Sequence, residues 1–197
     1  VSSRRVGNVL YLVLRHFPDI AGWEPYPRSE AELANNEAVL DDLQADDLLP
    51  TYSRNETPSG SVVTAGDCYV CNDIARDSAD IITLVAIDLT NDQLAFNSRC
   101  YVGTSEALYA STEAMYLSST RYQYDYRGDT ASYTSTVTTD IHKFAFDGLN
   151  FDYRGSAEVD GHLGWRQSRK PFRFSEQNNQ LRVVTFNDTM PWIAVDD

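Results

Sequence analysis

A repeated order of β-strand patterns is the feature of this sequence that most limits how the chain can fold. The segments LVAIDL and QLAFNSRCYVG, within residues 84–103, are similar to IHKFAF and LNFDYRGSAEVDG, within residues 141–161. The segments that follow them, EALYAST-EAMYLSSTR within residues 106–121 and KPFRFSE-NNQLRVVTFN within residues 170–187, are also similar to each other. Each unit predicts four strands joined by turns and one short loop. A four-stranded unit that repeats every ~40–65 residues is typical of a propeller blade.

The repeat predicts an all-β fold, a β-propeller segment of about two to three four-stranded antiparallel blades. The N-terminal segment NVLYLVLRH fits the last strand of such a unit, because Leu10-Tyr11-Leu12 aligns with Met115-Tyr116-Leu117 and Leu181-Arg182-Val183. Asp147-Gly148 predicts a hairpin turn. One blade cannot bury both faces of its sheet, so the blades must stack. A β-sandwich of irregular hairpins is the alternative that strand spacing leaves open.

Residues 1–197 are expected to form a single propeller segment in which residues 18–78 are a long insertion of loops and one helix. The short helix is predicted over residues 29–43, because Ser29 is a suitable N-cap and Glu32 stands at the capping-box spacing. Three leucines recur near one face of this helix: Leu33, Leu40 and Leu43. The rest of the insertion, up to its cysteines, is predicted as loop because prolines and a glycine interrupt it.

The charge of the chain excludes several classes of partner. It carries 16 Lys and Arg against 29 Asp and Glu, a formal net charge of −13. Such a surface repels phosphate backbones and anionic membranes, so we expect no nucleic-acid partner. The longest apolar run, VLYLVL, has the length of a strand, and no transmembrane segment is predicted. The chain starts at Val1 and shows no signal peptide, so we expect a fragment or a processed product.

The same segments resemble a known family. TTDIHKFAFDG, YRGSAEVDGHLGW and FRFSEQNNQLRVVTF are similar to the bacterial and archaeal secreted β-propeller family that is distantly related to WD-repeat proteins. Ala157 and Asp160 replace a usual glycine and a common proline of that family. The resemblance covers most of residues 1–188 and implies an extracytoplasmic propeller, whether secreted, periplasmic or at the cell surface, with no implied activity. Family members are longer, so the remaining blades of a parent chain, or another copy, are expected to complete the ring.

The three cysteines allow more than one chemistry. Cys68 and Cys71 have the C-x-x-C spacing, but a zinc site needs further ligands that Cys100 alone does not supply. A thioredoxin-type site needs the motif at the start of a helix, and here it precedes a strand. A disulfide suits a secreted protein. The resemblance matches Cys68 and Cys100 to the family's cysteine positions and implies a Cys68–Cys100 bond, which leaves Cys71 free or as an alternative partner.

The leading functional hypothesis is a non-enzymatic, extracytoplasmic scaffold that binds a protein or glycan partner. The sequence has no G-x-S-x-G, H-E-x-x-H or phosphate-loop pattern. Aromatic side chains in loops suit a peptide or glycan surface, and the candidate binding residues are Trp23, Tyr26 and Trp165. Fold alone does not define function, so the hypothesis depends partly on analogy.

Two alternatives use other residues. A propeller hydrolase or lyase would use loop residues on one face, for which the candidates are His162, Asp160, Glu158 and Arg166. His142, which lies within a strand pattern, is expected to be structural. A calcium-dependent adhesion module would use the acidic residues Asp41, Asp42, Asp46 and Asp47, although a solvated acidic face is the leading interpretation and the EF-hand order is absent. No metal site and no cofactor other than calcium is predicted.

Overall fold

The computed structural model of the chain describes residues 2–70, 80–91, 93–126 and 133–187. Within these ranges the chain forms two large sheets and two short strand pairs, so the all-β prediction is confirmed. No helix in the described ranges is long and apolar enough to cross a membrane.

The first sheet has five strands in the order β1-β2-β6-β7-β5. Its strands are β1 (Ser2–Val6), β2 (Val9–His16), β5 (Cys68–Val70), β6 (Ile81–Asp88) and β7 (Phe96–Val102). Strands β1, β2, β6 and β7 pair antiparallel, and β5 adds to the outer edge of β7 in parallel. The segment NVLYLVLRH forms one strand, β2, as predicted, and β1 pairs with it in an antiparallel hairpin. The hairpin reverses at Gly7, whose φ of +57° suits a glycine in a tight turn.

The second sheet has four antiparallel strands in the order β11-β10-β9-β8. They are β8 (Ala107–Ala110), β9 (Ala114–Tyr126), β10 (Tyr133–Asp147) and β11 (Asn150–Asp160). The hairpin predicted at Asp147-Gly148 is confirmed, since Asp147 pairs with Asn150 and Gly148 has a φ of +59°. The polar segment DYRGDTASYTST, residues 125–136, begins within β9 and ends within β10. β9 and β10 continue to pair as far as Tyr126 and Tyr133, because ladder hydrogen bonds form whatever the side chains are.

A short antiparallel pair, β12 (Phe174–Gln177) and β13 (Gln180–Val183), lies beside the second sheet. A 3₁₀ helix over Gln167–Arg173 precedes it and contains Pro171, so the predicted strand segment KPFRFSE is a strand only from Phe174 onward.

The division of the repeat into blades differs from the predicted one. The sequence unit grouped β6 to β9, whereas the sheets join β6 and β7 to the N-terminal hairpin, and join β8 and β9 to β10 and β11. The aligned segments beginning at Leu10, Met115 and Leu181 each lie in the second strand of a hairpin, rather than in the last strand of a unit. Similarity between segments gives the length of a repeat, but only strand pairing decides where each blade starts.

The β2–β6 connection contains the helix α1 (Glu30–Asp42), which confirms the predicted helix and its capping box. The predicted leucine face is wrong, because Leu33 and Leu40 are 52% and 49% exposed. The buried residue of this helix is Asn36. Its side-chain amide donates to the Glu24 carbonyl at 2.8 Å and accepts from the Glu24 N–H at 2.9 Å, so a polar contact fixes the helix to the loop before it.

The remainder of the connection, predicted as loop, contains regular structure. A 3₁₀ helix covers Ala45–Leu48, and a hairpin joins β3 (Thr51–Arg54) to β4 (Thr57–Ser61). The turn of this hairpin consists of Asn55 and Glu56, whose φ values are both positive. Pro58, one of the prolines expected to interrupt regular structure, lies in β4, because a proline is compatible with a strand of a two-stranded edge ribbon.

The core consists of layers between stacked elements. One cluster joins the facing surfaces of the two large sheets: Tyr11, Val13, Ile82, Leu84, Ala86, Met115, Leu117, Phe144 and Phe151. A second cluster joins the second sheet to the β12–β13 pair: Ala107, Ala114, Tyr116, Ile141, Leu163 and Phe174. On the opposite face of the first sheet, Ile81 and Cys100 pack against Leu49 and Val63 of the β2–β6 connection. Strand β6 is therefore buried on both faces from Ile81 to Ala86.

A candidate binding cleft between the first two blades

The facing surfaces of the two large sheets change from apolar to polar along their length. Alternate residues of a strand share one face, so β10 presents Phe146, Phe144, His142 and Asp140 in order toward the first sheet. β9, the antiparallel neighbour of β10, presents a similar series on the same face: Met115, Leu117, Ser119 and Arg121. The apolar ends of both series join the core, where the Phe146 ring stacks on Tyr11. A cleft of about 530 Å³ opens where the series become polar.

The floor of the cleft is apolar and buried. It is formed by side chains from both sheets: Ile82, Leu117, Phe144 and Phe151. Because these residues also belong to the core cluster, the floor is as rigid as the packing between the blades.

A row of aromatic side chains crosses the wall of the cleft. The Tyr69 and Tyr101 rings stack with centroids 5.6 Å apart, and the Tyr101 ring lies 4.9 Å from that of Phe144. The Phe144 ring in turn lies 5.4 Å from Tyr153. Desolvation raises the pKa of the Tyr101 hydroxyl to about 12, so this phenol stays neutral and can donate or accept a hydrogen bond.

The Cys68–Cys100 disulfide fixes part of this wall, and it joins the pair that the family resemblance implied. Cys68 pairs with Cys100 across β5 and β7, and both pack on the side away from the cleft. The next residues along the two strands, Tyr69 and Tyr101, therefore point into the cleft. The third cysteine, Cys71, lies outside the described residues.

Charged groups of the cleft hold one another in place. The Arg121 guanidinium contacts Asp140 through Nε to Oδ2 at 2.6 Å and through Nη2 to Oδ1 at 2.9 Å, and it also contacts Glu158. The hydrogen bond to Asp140 raises the pKa of Arg121. Asp152 contacts the guanidinium of Arg154 at 2.8 Å.

His142, expected to be a structural strand residue, lines the cleft. Its Nδ1 lies 3.2 Å from the Tyr153 hydroxyl. Desolvation lowers the pKa of His142, although the charge of Asp140 opposes this shift. The neutral imidazole is thus the favoured form at the cleft wall.

The candidate catalytic residues do not line the cleft. His162 is buried, and its Nδ1 accepts a hydrogen bond from the Gly164 N–H at 3.0 Å. Its backbone exchanges two hydrogen bonds with Phe186, at 2.8 and 2.9 Å. Asp160 is the last residue of β11, and Arg166 directly precedes the 3₁₀ helix Gln167–Arg173. The Glu158 carboxylate forms an ion pair with Arg121. The structure brings none of these side chains together around the cleft.

The candidate binding aromatics also lie elsewhere. Trp23 and Tyr26 are 37% and 79% exposed in the β2–β6 connection, before α1. Trp165 is half exposed, with its ring stacked on Tyr122 at 6.2 Å and its other neighbour, the His162 ring, at 4.4 Å. The signal that could have revealed the cleft is different: Asp140 and His142 occupy the strand face that Phe144 identifies as buried.

The acidic residues proposed for calcium lie at the end of α1 and in the 3₁₀ helix that follows. The Asp47 carboxylate accepts a hydrogen bond from the Gln44 N–H at 3.0 Å, so it caps this short helix. Among the residues that the structure describes, no group of three or more His, Cys, Asp or Glu side chains could hold a metal ion.

A five-stranded sheet and a four-stranded sheet, mainly antiparallel and stacked with a cleft between them, define the class of protein, an all-β protein built of repeated blades. The sequence profile of the β-propeller domain matches residues 1–194. The chain therefore belongs to the β-propeller domain family. No curated protein and no solved structure gives a significant match to the chain.

Proposed function

We propose that this protein is a non-enzymatic, extracytoplasmic propeller that binds a protein or glycan ligand in the cleft between its first two blades. The observation that carries the proposal is the cleft itself, a concave space of about 530 Å³ with an apolar floor and an aromatic wall. Ligand sites are typically concave and mostly apolar, with a few polar groups that set orientation.

The polar groups of the cleft favour binding over catalysis. The Arg121 guanidinium is held by Asp140, and the His142 ring lies against the Tyr153 hydroxyl. Each is engaged by a neighbour at the cleft wall, as orienting groups in a binding site are. Tyrosine and arginine supply large contact areas at recognition surfaces and are enriched there.

The Cys68–Cys100 disulfide supports the extracytoplasmic location, because disulfides persist in oxidising compartments. The resemblance to secreted bacterial and archaeal propellers distantly related to WD-repeat proteins supports it too. The proposal includes the expected organisation, a single propeller segment over residues 1–197 in which residues 18–78 are an insertion. Further blades of a parent chain or another copy would complete the ring.

A ligand screen with a blocked cleft tests the proposal. The purified chain is applied to glycan and peptide arrays, and the ligands found are measured by calorimetry. Ser119→Trp places a large side chain in the cleft, whereas Ser175→Trp makes the same change on the exposed face of β12. We expect binding by wild type and Ser175→Trp, and loss of binding by Ser119→Trp, with all three showing native melting curves.

Two results would overturn the proposal. One is a ligand that binds Ser119→Trp as tightly as wild type, which would place binding outside the cleft. The other is turnover of the bound ligand by the purified chain, which would make the protein a hydrolase or lyase.

A further inference from the structure

The charge on one wall of the cleft has no anionic partner among the described residues. Arg99, on β7, points into the cleft beside Tyr101. Its Nη1 donates to the Tyr69 hydroxyl at 2.8 Å, and its guanidinium lies 5.7 Å from the centre of the Tyr69 ring. Both contacts are with a neutral side chain, so the charge of Arg99 is oriented but not neutralised within the part of the chain that the structure describes.

The carboxylates that line the cleft are engaged by other cations. Asp140 contacts Arg121, and Asp152 contacts Arg154. Among the described residues that line the cleft, both carboxylates therefore have a cationic partner, and the Arg99 guanidinium has no carboxylate partner. A guanidinium has several donors in a planar fork, so an arginine with one neutral partner retains N–H groups for a carboxylate.

The overall charge of −13 acts against an anionic ligand, but its effect inside the cleft is limited. At physiological ionic strength, exposed charges more than ~8 Å apart are largely screened. A half-buried guanidinium at contact distance is screened much less, and a charge-assisted bidentate pair is among the stronger hydrogen-bonded contacts. The local contact with Arg99 therefore outweighs the distant surface charge.

The other groups that line the cleft indicate the chemical class of a ligand whose carboxylate would pair with Arg99. The aromatic row from Tyr69 to Tyr153 offers flat faces, and Thr104 and Ser119 add hydroxyl groups. Within the described ranges, neither of these two hydroxyls hydrogen-bonds a protein group. Ring faces beside hydroxyls suit a pyranose, which has an apolar face and a rim of hydroxyl groups. A peptide segment would instead need partners for its backbone N–H and C=O groups.

We propose that the cleft binds a carboxylated oligosaccharide, a glycan containing uronic acid, with the sugar carboxylate paired to Arg99 and a sugar ring against the tyrosines. This inference rests on the proposed function and specifies its ligand class. Arg99 acts here as a binding residue, and the disulfide-fixed Tyr69 orients it.

The test uses three probes on the whole chain by calorimetry: trigalacturonate, the same trisaccharide with its carboxylates reduced to alcohols, and a glutamate-rich peptide. Variants are Arg99→Gln, Arg99→Lys and Arg182→Gln. The last removes the same charge from an exposed position on β13, so it controls for net charge. A melting curve for each variant shows that it is folded.

We expect wild type and Arg182→Gln to bind trigalacturonate, and Arg99→Gln to bind it roughly 10- to 100-fold more weakly, as loss of a charge-assisted contact predicts. Arg99→Lys should be intermediate, and the reduced trisaccharide should bind wild type about as weakly as trigalacturonate binds Arg99→Gln. Equal binding of the charged and reduced sugars, or an unaffected Arg99→Gln, would overturn the role of the carboxylate and leave glycan binding intact. Binding of the peptide in place of either sugar would overturn the ligand class. The array screen with Ser119→Trp tests the proposed function separately, because it does not depend on the charge of the ligand.

Discussion

Cys68 and Cys100 lie opposite each other across the parallel strands β5 and β7, with Cα atoms 4.4 Å apart. The disulfide joins two residues that are 32 positions apart in the sequence, and it links the β2–β6 connection covalently to the first blade. Because Tyr69 and Tyr101 follow the two cysteines, the same bond determines where one wall of the cleft stands.

Removing this disulfide should lower the free energy of unfolding by about 2–4 kcal/mol, the usual effect of a cross-link that restricts the unfolded chain. The double variant Cys68→Ser/Cys100→Ser is compared with wild type by urea unfolding. Cys71→Ser is the matched control and should leave the stability contribution of the bond intact. An unchanged unfolding midpoint for the double variant would contradict the prediction.

Thiol counting gives a direct chemical check of the same bond. In the Cys71→Ser variant, denatured without reductant, we expect no free thiol, because the two remaining cysteines are bonded. Two free thiols per chain would show that the bond is absent in the isolated protein.

Gly161→Ala should destabilise the protein more than Gly148→Ala. Both glycines have positive φ values, +91° and +59°, so each substitution introduces backbone strain of about 1–3 kcal/mol. A Cβ at Gly161 would also lie 2.5 Å from the Phe186 carbonyl oxygen, whereas a Cβ at Gly148 meets nothing within 4 Å. Thermal or urea unfolding of the two variants measures the difference, and an equal loss of stability would show that the contact at Phe186 relaxes freely.

The Arg121–Asp140 pair should show measurable coupling. A double-mutant cycle with Arg121→Gln and Asp140→Asn is expected to give about 0.5–3 kcal/mol, because both side chains are partly buried and are joined by one hydrogen bond and a second close ionic contact. The exposed Arg154–Asp152 pair is the control, and its cycle should give at most about 0.5 kcal/mol. Coupling of the same size in both cycles would mean that burial adds nothing to the cleft pair.

His142 should make stability depend on pH. Burial lowers its folded-state pKa below the unfolded value of ~6.5, so the unfolded chain binds a proton first as the pH falls. The contribution of His142 is therefore fully present above ~6.5 and declines as the pH falls through that value toward the lower folded-state pKa.

Urea unfolding of wild type and His142→Gln at pH 7.5 and 5.5 measures this effect. We expect wild type to lose more free energy of unfolding than the variant over that interval, since glutamine does not titrate. An NMR titration should show the His142 ring protonating below its ordinary range. If wild type instead gains stability relative to the variant on acidification, the ring is charged in the folded state.

The sequence identified the kinds of element better than their assembly. Strand alternation and the capping box at Ser29 and Glu32 depend on neighbouring residues, so they could be predicted. The blade boundaries depend on which strands pair, and β2 pairs with a strand that follows more than sixty residues later. The prediction of a buried leucine face on α1, which includes Leu33, was wrong for a similar reason. Periodicity indicates which side chains share a face of a helix, but not whether another element covers that face.

The cleft could not be found from motifs, because its residues come from distant parts of the chain. The disulfide and the packing of the two blades bring three of them together in the cleft: Tyr69, Arg99 and His142. The loop position of His162 favours it over His142 as a functional candidate, yet His162 is buried between aromatic rings. A polar residue on a strand face that is otherwise apolar was the more informative signal.

The double burial of β6 has a consequence for how the protein is made. Residues 49–63, which cover one face of β6, are synthesised before Ile81, so that face can be covered as soon as the strand leaves the ribosome. The other face packs against the second blade, whose last contributor, Phe151, follows Ala86 by roughly 65 residues. At ~5–20 residues per second, that face waits about 3–13 s for its partner. During this interval the apolar face of β6 stays uncovered, which is the condition that favours aggregation of a nascent chain.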